Sequence, residues 1–391
     1  MLRHRVVALP LLLVAAMTYA CGAEDPAAPA EPGTPQAVGQ PGDGPAITTP
    51  GFPELATKNT TRVSAGDSAG TAAGVALAVY PSATADTRPA AVTLVDVDNW
   101  AVAISAAQLA GDGVRAPVVF TDGSALPDAS RRALARLRPT GVPALRGAQT
   151  IRVGTPARAP GLTETNVEGA TPAALAQGID RLHTRATGSA GDSVVVAPLS
   201  EPATAMPAAG WAAKSGDPVL WADSDALPPE TIAAISARSR PSIHVLGSQS
   251  AIGPRVMRRL GRLGEVRRIA GADAAATAVA FARYRRSGFG WGVVDPGHGL
   301  VFASSARPAD AAAAAPLSAA GSHGPLLVLP GGAMPAAVGD YLLDIRPGYE
   351  SDPVRGVYNH GWLMGDVTTI SSQAQSRIDS LLEIQPVDRE P

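Results

Sequence analysis

The feature that most constrains this chain is that it repeats itself. Three segments share one plan: TRVSAGDSAGTAAGVALAVY from Thr61, TNVEGATPAALAQGIDRL from Thr165 and RRIAGADAAATAVAFARY from Arg267. Each reads as a short apolar segment, a glycine turn, a polar residue and an Ala-rich helix. The polar residues Asp67, Thr171 and Asp273 stand 104 and then 102 residues apart. A side-chain oxygen at that position can accept the orphan amide hydrogens of the helix that follows. Pro172 directly after Thr171 fits, because proline is favoured at the first helical position.

A second set keeps the same rhythm. APVVFTDGSALP, DPVLWADSDALP and GPLLVLPGGAMP end at Pro127, Pro228 and Pro335, at intervals of 101 and 107 residues. Each is an apolar run of strand length, a turn, then a proline that opens a helix. Leu134, Ile235 and Leu342 follow those prolines on the inward side of that helix. Further Ala-rich helices end near Ala110, Ala213 and Ala320. Strands read from AVTLVDV at Ala91, SVVVAPL at Ser193, SIHVLG at Ser242, GLVFAS at Gly299 and GVYNHG at Gly356. Helices alternating with short, nearly continuous apolar strands predict an α/β fold of parallel sheets covered on both faces. The repeats fall at roughly 58–160, 161–264 and 265–391.

Composition narrows the function classes. The chain has 391 residues, a formal net charge of -2 and arginine as its main cation, with Lys58 and Lys214 its only lysines. That balance argues against a dedicated nucleic-acid binder, which carries a clearly basic domain. The single cysteine, Cys21, excludes a disulfide scaffold and a cysteine-based zinc site.

The N-terminus carries an address. Arg3 and Arg5 precede an apolar stretch from Val6 to Met17 and then Thr18-Tyr19-Ala20-Cys21. This is the pattern of a secretory signal over 1–20, too short for a stable membrane span. Cys21 directly after the expected cut resembles the lipobox of bacterial lipoproteins, which implies a lipidated (palmitate-bearing) N-terminus at Cys21. Residues 21–57 are rich in Pro, Ala and Gly and read as an extended tether.

The repeated segments resemble the cell wall-binding repeat type 2 of bacterial surface proteins. The resemblance rests on RIAGAD, TAVAFA, PVLWADSDALP and HVLGSQSAI between Asp217 and Ala278. It extends over about 58–385 with more divergent first and third copies. Leu145-Arg146-Gly147 is then a poor version of the glycine turn, and Asn359 to Asp366 replaces that turn in the third copy. The resemblance implies three tandem Rossmann- or toprim-like repeats about a pseudo-threefold axis, in a monomer. It also implies non-covalent attachment to the envelope through an anionic wall polymer or a peptidoglycan-linked glycan, at the outer face of the membrane.

Catalytic patterns are weak. Gly66-Asp67-Ser68-Ala69-Gly70 matches a nucleophile elbow, but Asp67 belongs to a helix start that recurs at Thr171 and Asp273 without a following serine. His183, His244, His298, His323 and His360 show no metal-ligand spacing. Asp96/Asp98 and Asp223/Asp225 read better as helix caps than as cation ligands or acid–base pairs. No G-x-G-x-x-G follows a strand, so no dinucleotide is implied. No metal and no cofactor are expected.

Two stretches are candidates for ligand binding. The first is Arg255, Arg258, Arg259 and Arg262, with Arg267 and Arg268 beyond and Arg285 and Arg286 further on. Val256, Leu260 and Leu263 would face the core and leave the guanidinium groups in water, suited to phosphate or carboxylate. A merely solvated helix face is the competing reading. The second is Asn359, His360 and Trp362, read as a turn that stacks on a sugar, or as a plug between repeats. The expected function is a non-catalytic surface lipoprotein that binds envelope polymers. A solute-binding lipoprotein serving a transporter and a cell-wall hydrolase are the alternatives.

Overall fold

The computed structural model describes residues 55–319 and 323–387. The signal segment, Cys21 and nearly all of the tether lie outside the described residues.

Strands β1 (Leu55–Ala56) and β2 (Thr60–Val63) lead into helix α1 (Ser68–Val79). Then follow β3 (Val92–Asp96), α2 (Trp100–Ala106), β4 (Val118–Thr121), α3 (Asp128–Leu137) and β5 (Thr150–Val153). The middle of the chain forms β6 (Glu164–Val167), α4 (Pro172–Thr187), β7 (Ser193–Pro198), the short α5 (Pro202–Ala205) and α6 (Pro207–Ser215). It continues with β8 (Val219–Ala222), α7 (Pro229–Ser236), β9 (Ser242–Leu246) and α8 (Pro254–Leu260). The last part forms β10 (Glu265–Ile269), α9 (Ala274–Arg283), β11 (Gly299–Ser304), α10 (Asp310–Ala319) and β12 (His323–Leu329). It ends with α11 (Ala336–Asp344), β13 (Gly348–Tyr349), β14 (His360–Met364), α12 (Ser372–Leu382) and β15 (Gln385–Pro386).

The fold is α/β with parallel sheets, as the alternation predicts. The strand orders are β4-β3-β5-β6, β8-β7-β9-β10 and β12-β11-β14-β2-β1, and only the β1–β2 pair is antiparallel. Strands β13 and β15 make a separate parallel pair. In the first two large sheets the last strand follows its neighbour in sequence, β6 after β5 and β10 after β9. β6 and β10 lead directly into helices that pack on the next sheet, α4 on β8 and α9 on β12. The third sheet takes β2 from the opposite end of the sequence, with Trp362 opposite Thr61 and Met364 opposite Val63.

The predicted helix starts are all present. Asp67 accepts from the Gly70 amide at 2.6 Å, Thr171 from Ala174 at 3.1 Å and Asp273 from Ala276 at 2.8 Å. Gly271 is required there: a Cβ would lie 2.3 Å from the Ala276 carbonyl carbon, so the turn presses backbone on backbone. Pro127, Pro228 and Pro335 precede α3, α7 and α11, and Leu134, Ile235 and Leu342 are buried as expected.

The Ala-rich helices are apolar around their whole circumference, and such a helix must be covered on every side. Accordingly α10 packs against α6 and α1, and the 3-10 turn 107–110 packs against α6. Alanine lets these backbones approach closely; a Cβ on Gly111 would lie 2.0 Å from the Ala213 carbonyl oxygen.

Two local readings are corrected. The strand expected at Gly356 lies at 360–364, so Asn359–Asp366 is not a turn but chiefly an internal strand. Its backbone is paired on both sides, by β11 and β2, and Leu363 and Met364 are buried in the core, which a turn would leave exposed. The first-copy counterpart of the glycine turn is Gly154, not Leu145-Arg146-Gly147. Gly154, Gly247 and Gly365 each end the third strand of a sheet with positive φ, at 59°, 99° and 96°.

Candidate functional site

Helix α8 is set by its two faces. Val256 and Leu260 are buried, while Arg255, Arg258, Arg259 and Arg262 are exposed. No ion pair engages these four guanidinium groups among the described residues. Arg258 and Arg259 occupy the last turn, where the helix dipole favours cations. Arg267 and Arg286 converge on one carboxylate, with nitrogens 2.7 and 4.0 Å from Glu265 Oε1.

Arg268 does different work. Its guanidinium donates to the carbonyls of Gly247, Ser248 and Ile252, each at 2.6 Å, and so holds the turn after β9. Burial lowers its pKa. Arg62 repeats the arrangement in the third sheet, donating to the carbonyls of Gly365 at 2.9 Å and Asp366 at 2.8 Å and to Gln375 Oε1. Burial pushes Arg62 down to about 10, against the pull of Asp366. Sequence reasoning missed this clamp. The signal was present, since each arginine directly precedes the last apolar residue of its strand, in TRVSAGD and RRIAGAD.

The second candidate stretch is built into the third sheet. Asn359 is buried; its Oδ1 accepts from the amides of Gly297 at 2.8 Å and His298 at 3.0 Å, and its Nδ2 donates to Ile345 O at 2.8 Å. A His360 ring nitrogen lies 3.0 Å from Thr61 Oγ1, and the ring meets Trp362 edge-on at 5.6 Å. Trp362 is half-buried against the core. The arginines of α8 belong to the middle sheet, so the two candidate stretches are separate sites.

The other singled-out residues are held structurally. Ser68 opens α1 and hydrogen-bonds the fully buried Asp310, whose carboxyl burial pushes up against the pull of Arg307. Asp96 accepts from the amides of Asp98 at 3.0 Å and Gly123 at 2.8 Å, fixing two turns. Asp223 and Asp225 are exposed in the turn before α7. His183 is buried beside Asp180, His298 lies 3.3 Å from Asp295, and His323 opens β12. His244 is buried and stacks face to face on Phe289 at 3.4 Å. Burial, and secondarily Arg267, push it down to about 4. Among the described residues no group of three or more His, Cys, Asp or Glu is placed to hold a metal ion. None of the described helices is long and apolar enough to cross a membrane.

Comparison with known proteins gives a consistent picture. No curated protein matches the sequence. Among solved structures the chain is similar to Cwp8 from Clostridium difficile, with a TM-score of 0.65 and 16% identity over 83% of this chain and 52% of that one. It is likewise similar to Cwp6 from Clostridium difficile, with a TM-score of 0.64 and 16% identity over 82% of this chain and 48% of that one. The chain therefore spans about half the length of these structures, and at this identity the likeness is one of fold. The sequence of residues 268–375 matches the family model of Cell wall binding domain 2 (CWB2). That segment runs from the Arg268 clamp through α9 and most of the third sheet into α12, and over it the chain is similar to the cell wall binding domain 2 family.

Proposed function

We propose that this protein is a non-catalytic lipoprotein that attaches to the cell wall through an anionic polymer. The family match over residues 268–375 carries the reading. The exposed arginines of α8 support an anionic ligand, because guanidinium pairs well with phosphate and carboxylate. Exposed ion pairs each contribute only ~0–1 kcal/mol, so affinity comes from many contacts along a repeating chain. The three repeats are arranged about a pseudo-threefold axis, with 58–160, 161–264 and 265–391 as their bounds. Cys21 carries the lipid, the Pro-rich tether spans from membrane to body, and the body sits at the outer face of the membrane.

The test is sedimentation of the mature body with purified cell walls, before and after extraction of their anionic polymers. Retention by intact walls and release by high salt are expected, since screening acts over ~8 Å at physiological ionic strength. Equal retention on extracted walls at any salt would defeat the polymer reading and turn attention to sugar stacking at Asn359, His360 and Trp362. For the anchor, Cys21→Ala is expected to move the protein from the membrane to the soluble fraction. Retention with an uncut signal would mean an ordinary membrane anchor.

A further inference from the structure

The three large sheets are parallel, and the helices return against the strand direction, so helix C-termini gather at the edge where strands begin. A helix C-terminus carries partial negative charge and favours cations. In the middle sheet this edge collects arginines. Arg240 follows α7, Arg258 and Arg259 lie in the last turn of α8 with Arg262 beyond, and Arg285 and Arg286 follow α9. All six are exposed.

Hydrogen bonds and contacts join them into one run. The Glu265 amide donates to Pro241 O at 3.0 Å, and a Cβ on Gly264 would lie 2.2 Å from the same oxygen, so the end of α8 abuts the end of α7. Arg286 reaches Glu265 at 4.0 Å, which adds the segment after α9. Carboxylates on this edge are few and engaged. Glu265 is shared by Arg267 and Arg286, and Asp180 is taken by Arg238 at 2.7 Å. Asp192 is the exposed exception beside Ser242. The opposite edge, where the strands end, carries the exposed Asp223, Asp225 and Asp273, with Arg255 in the first turn of α8 as an exposed cation among them. One protein of near-zero net charge thus presents a cationic edge and a predominantly acidic edge on a single sheet.

We propose that a linear polyanion docks along the strand-start edge of the middle sheet, across Arg240, Arg258, Arg259, Arg262, Arg285 and Arg286. This rests on the wall-polymer reading and goes beyond it by naming the edge. Ligands of open parallel sheets ordinarily bind at the strand ends, where here the carboxylates would repel an anion. The run of cations along an edge, rather than a concave pocket, suits an extended chain whose charges recur.

The test uses the variant Arg240→Gln/Arg262→Gln/Arg285→Gln/Arg286→Gln. A charge-matched control carries Arg131→Gln/Arg132→Gln/Arg158→Gln/Arg377→Gln, away from that edge. Both are titrated with long-chain inorganic polyphosphate at low salt and sedimented with intact cell walls, with circular dichroism checking the fold. The edge variant is expected to lose roughly tenfold or more in polyphosphate affinity, and the control to bind within about twofold of the parent. Parent-like binding by the edge variant, equal losses in both variants, or no polyphosphate binding by the parent overturns the proposal. If the parent fails on walls while polyphosphate binding is lost only in the edge variant, the edge stands and the wall-polymer reading falls.

Discussion

Arg238 and Asp180 form a two-pronged ion pair inside the protein, Nη1 to Oδ2 at 2.8 Å and Nη2 to Oδ1 at 2.7 Å. Their side chains are 3% and 6% exposed. The pair ties the end of α7 to α4, and Arg238 Nε also donates to Gly191 O at 2.8 Å. Removing one partner leaves a buried charge without compensation. Arg238→Ala is expected to cost about 3–5 kcal/mol. Replacing both by Arg238→Met and Asp180→Leu should recover much of that loss, as urea unfolding of the two variants would reveal.

A second link crosses between sheets. Trp221 Nε1 in β8 donates to Ser105 Oγ in α2 at 2.9 Å, and that hydroxyl donates to Val219 O at 2.9 Å. Ser105→Ala strips both bonds in a site with no water access, since Trp221 is fully buried. A loss of about 1–3 kcal/mol is expected. Pairing it with Trp221→Phe in a double-mutant cycle should show strong coupling; additive effects would mean the bond contributes nothing.

The stacked His244 makes stability depend on pH. Its folded pKa is depressed to about 4, chiefly by burial and then by Arg267, with Tyr284 and Phe289 the other rings against it. The unfolded chain, titrating near ~6.5, takes up the proton first. Stability is therefore fully present above that value and is lost as pH falls towards the folded pKa, by up to about 3 kcal/mol. His244→Phe should flatten the melting temperature between pH 7 and 4. An unchanged slope would assign the pH dependence to other groups.

Closure of the third sheet by β2 predicts a sharp response to truncation. Removing residues up to Lys58 spares β2 but deletes the short edge strand β1, the Thr57 hydroxyl bonded to Asp379 and the Lys58–Glu383 pair, which is worth little. Removing residues up to Gly66 also deletes Arg62 with its four hydrogen bonds. It exposes the β14 edge as well. Hydrogen exchange should then accelerate at 360–364 while the β7 and β9 amides stay protected. The substitution Arg62→Met tests the clamp alone, and is expected to cost at least about 3 kcal/mol because the Gly365 and Asp366 carbonyls lose their donor.

Sequence alone determined what is local. Caps at Asp67, Thr171 and Asp273, helix starts after Pro127, Pro228 and Pro335, and the inward Leu134, Ile235 and Leu342 follow from interactions within a turn or two of the chain. Such interactions leave a periodic trace, and three copies made it visible. The water-facing arginines of α8 were legible for the same reason, since Val256 and Leu260 mark the buried side. Only the tertiary structure decided which strands share a sheet. A strand four residues long, such as β2, carries no record of its partner, and β14 supplies one some 300 residues away. The same long-range pairing turned Asn359–Asp366 from an expected turn into an interior strand, because β11 and β2 pair with its backbone on both sides and Leu363 and Met364 are buried. It also brought Arg286 within 4.0 Å of Glu265, and that proximity is what turns arginines scattered in sequence into one edge: charge is written in the sequence, but its spatial sum depends on where the backbone returns.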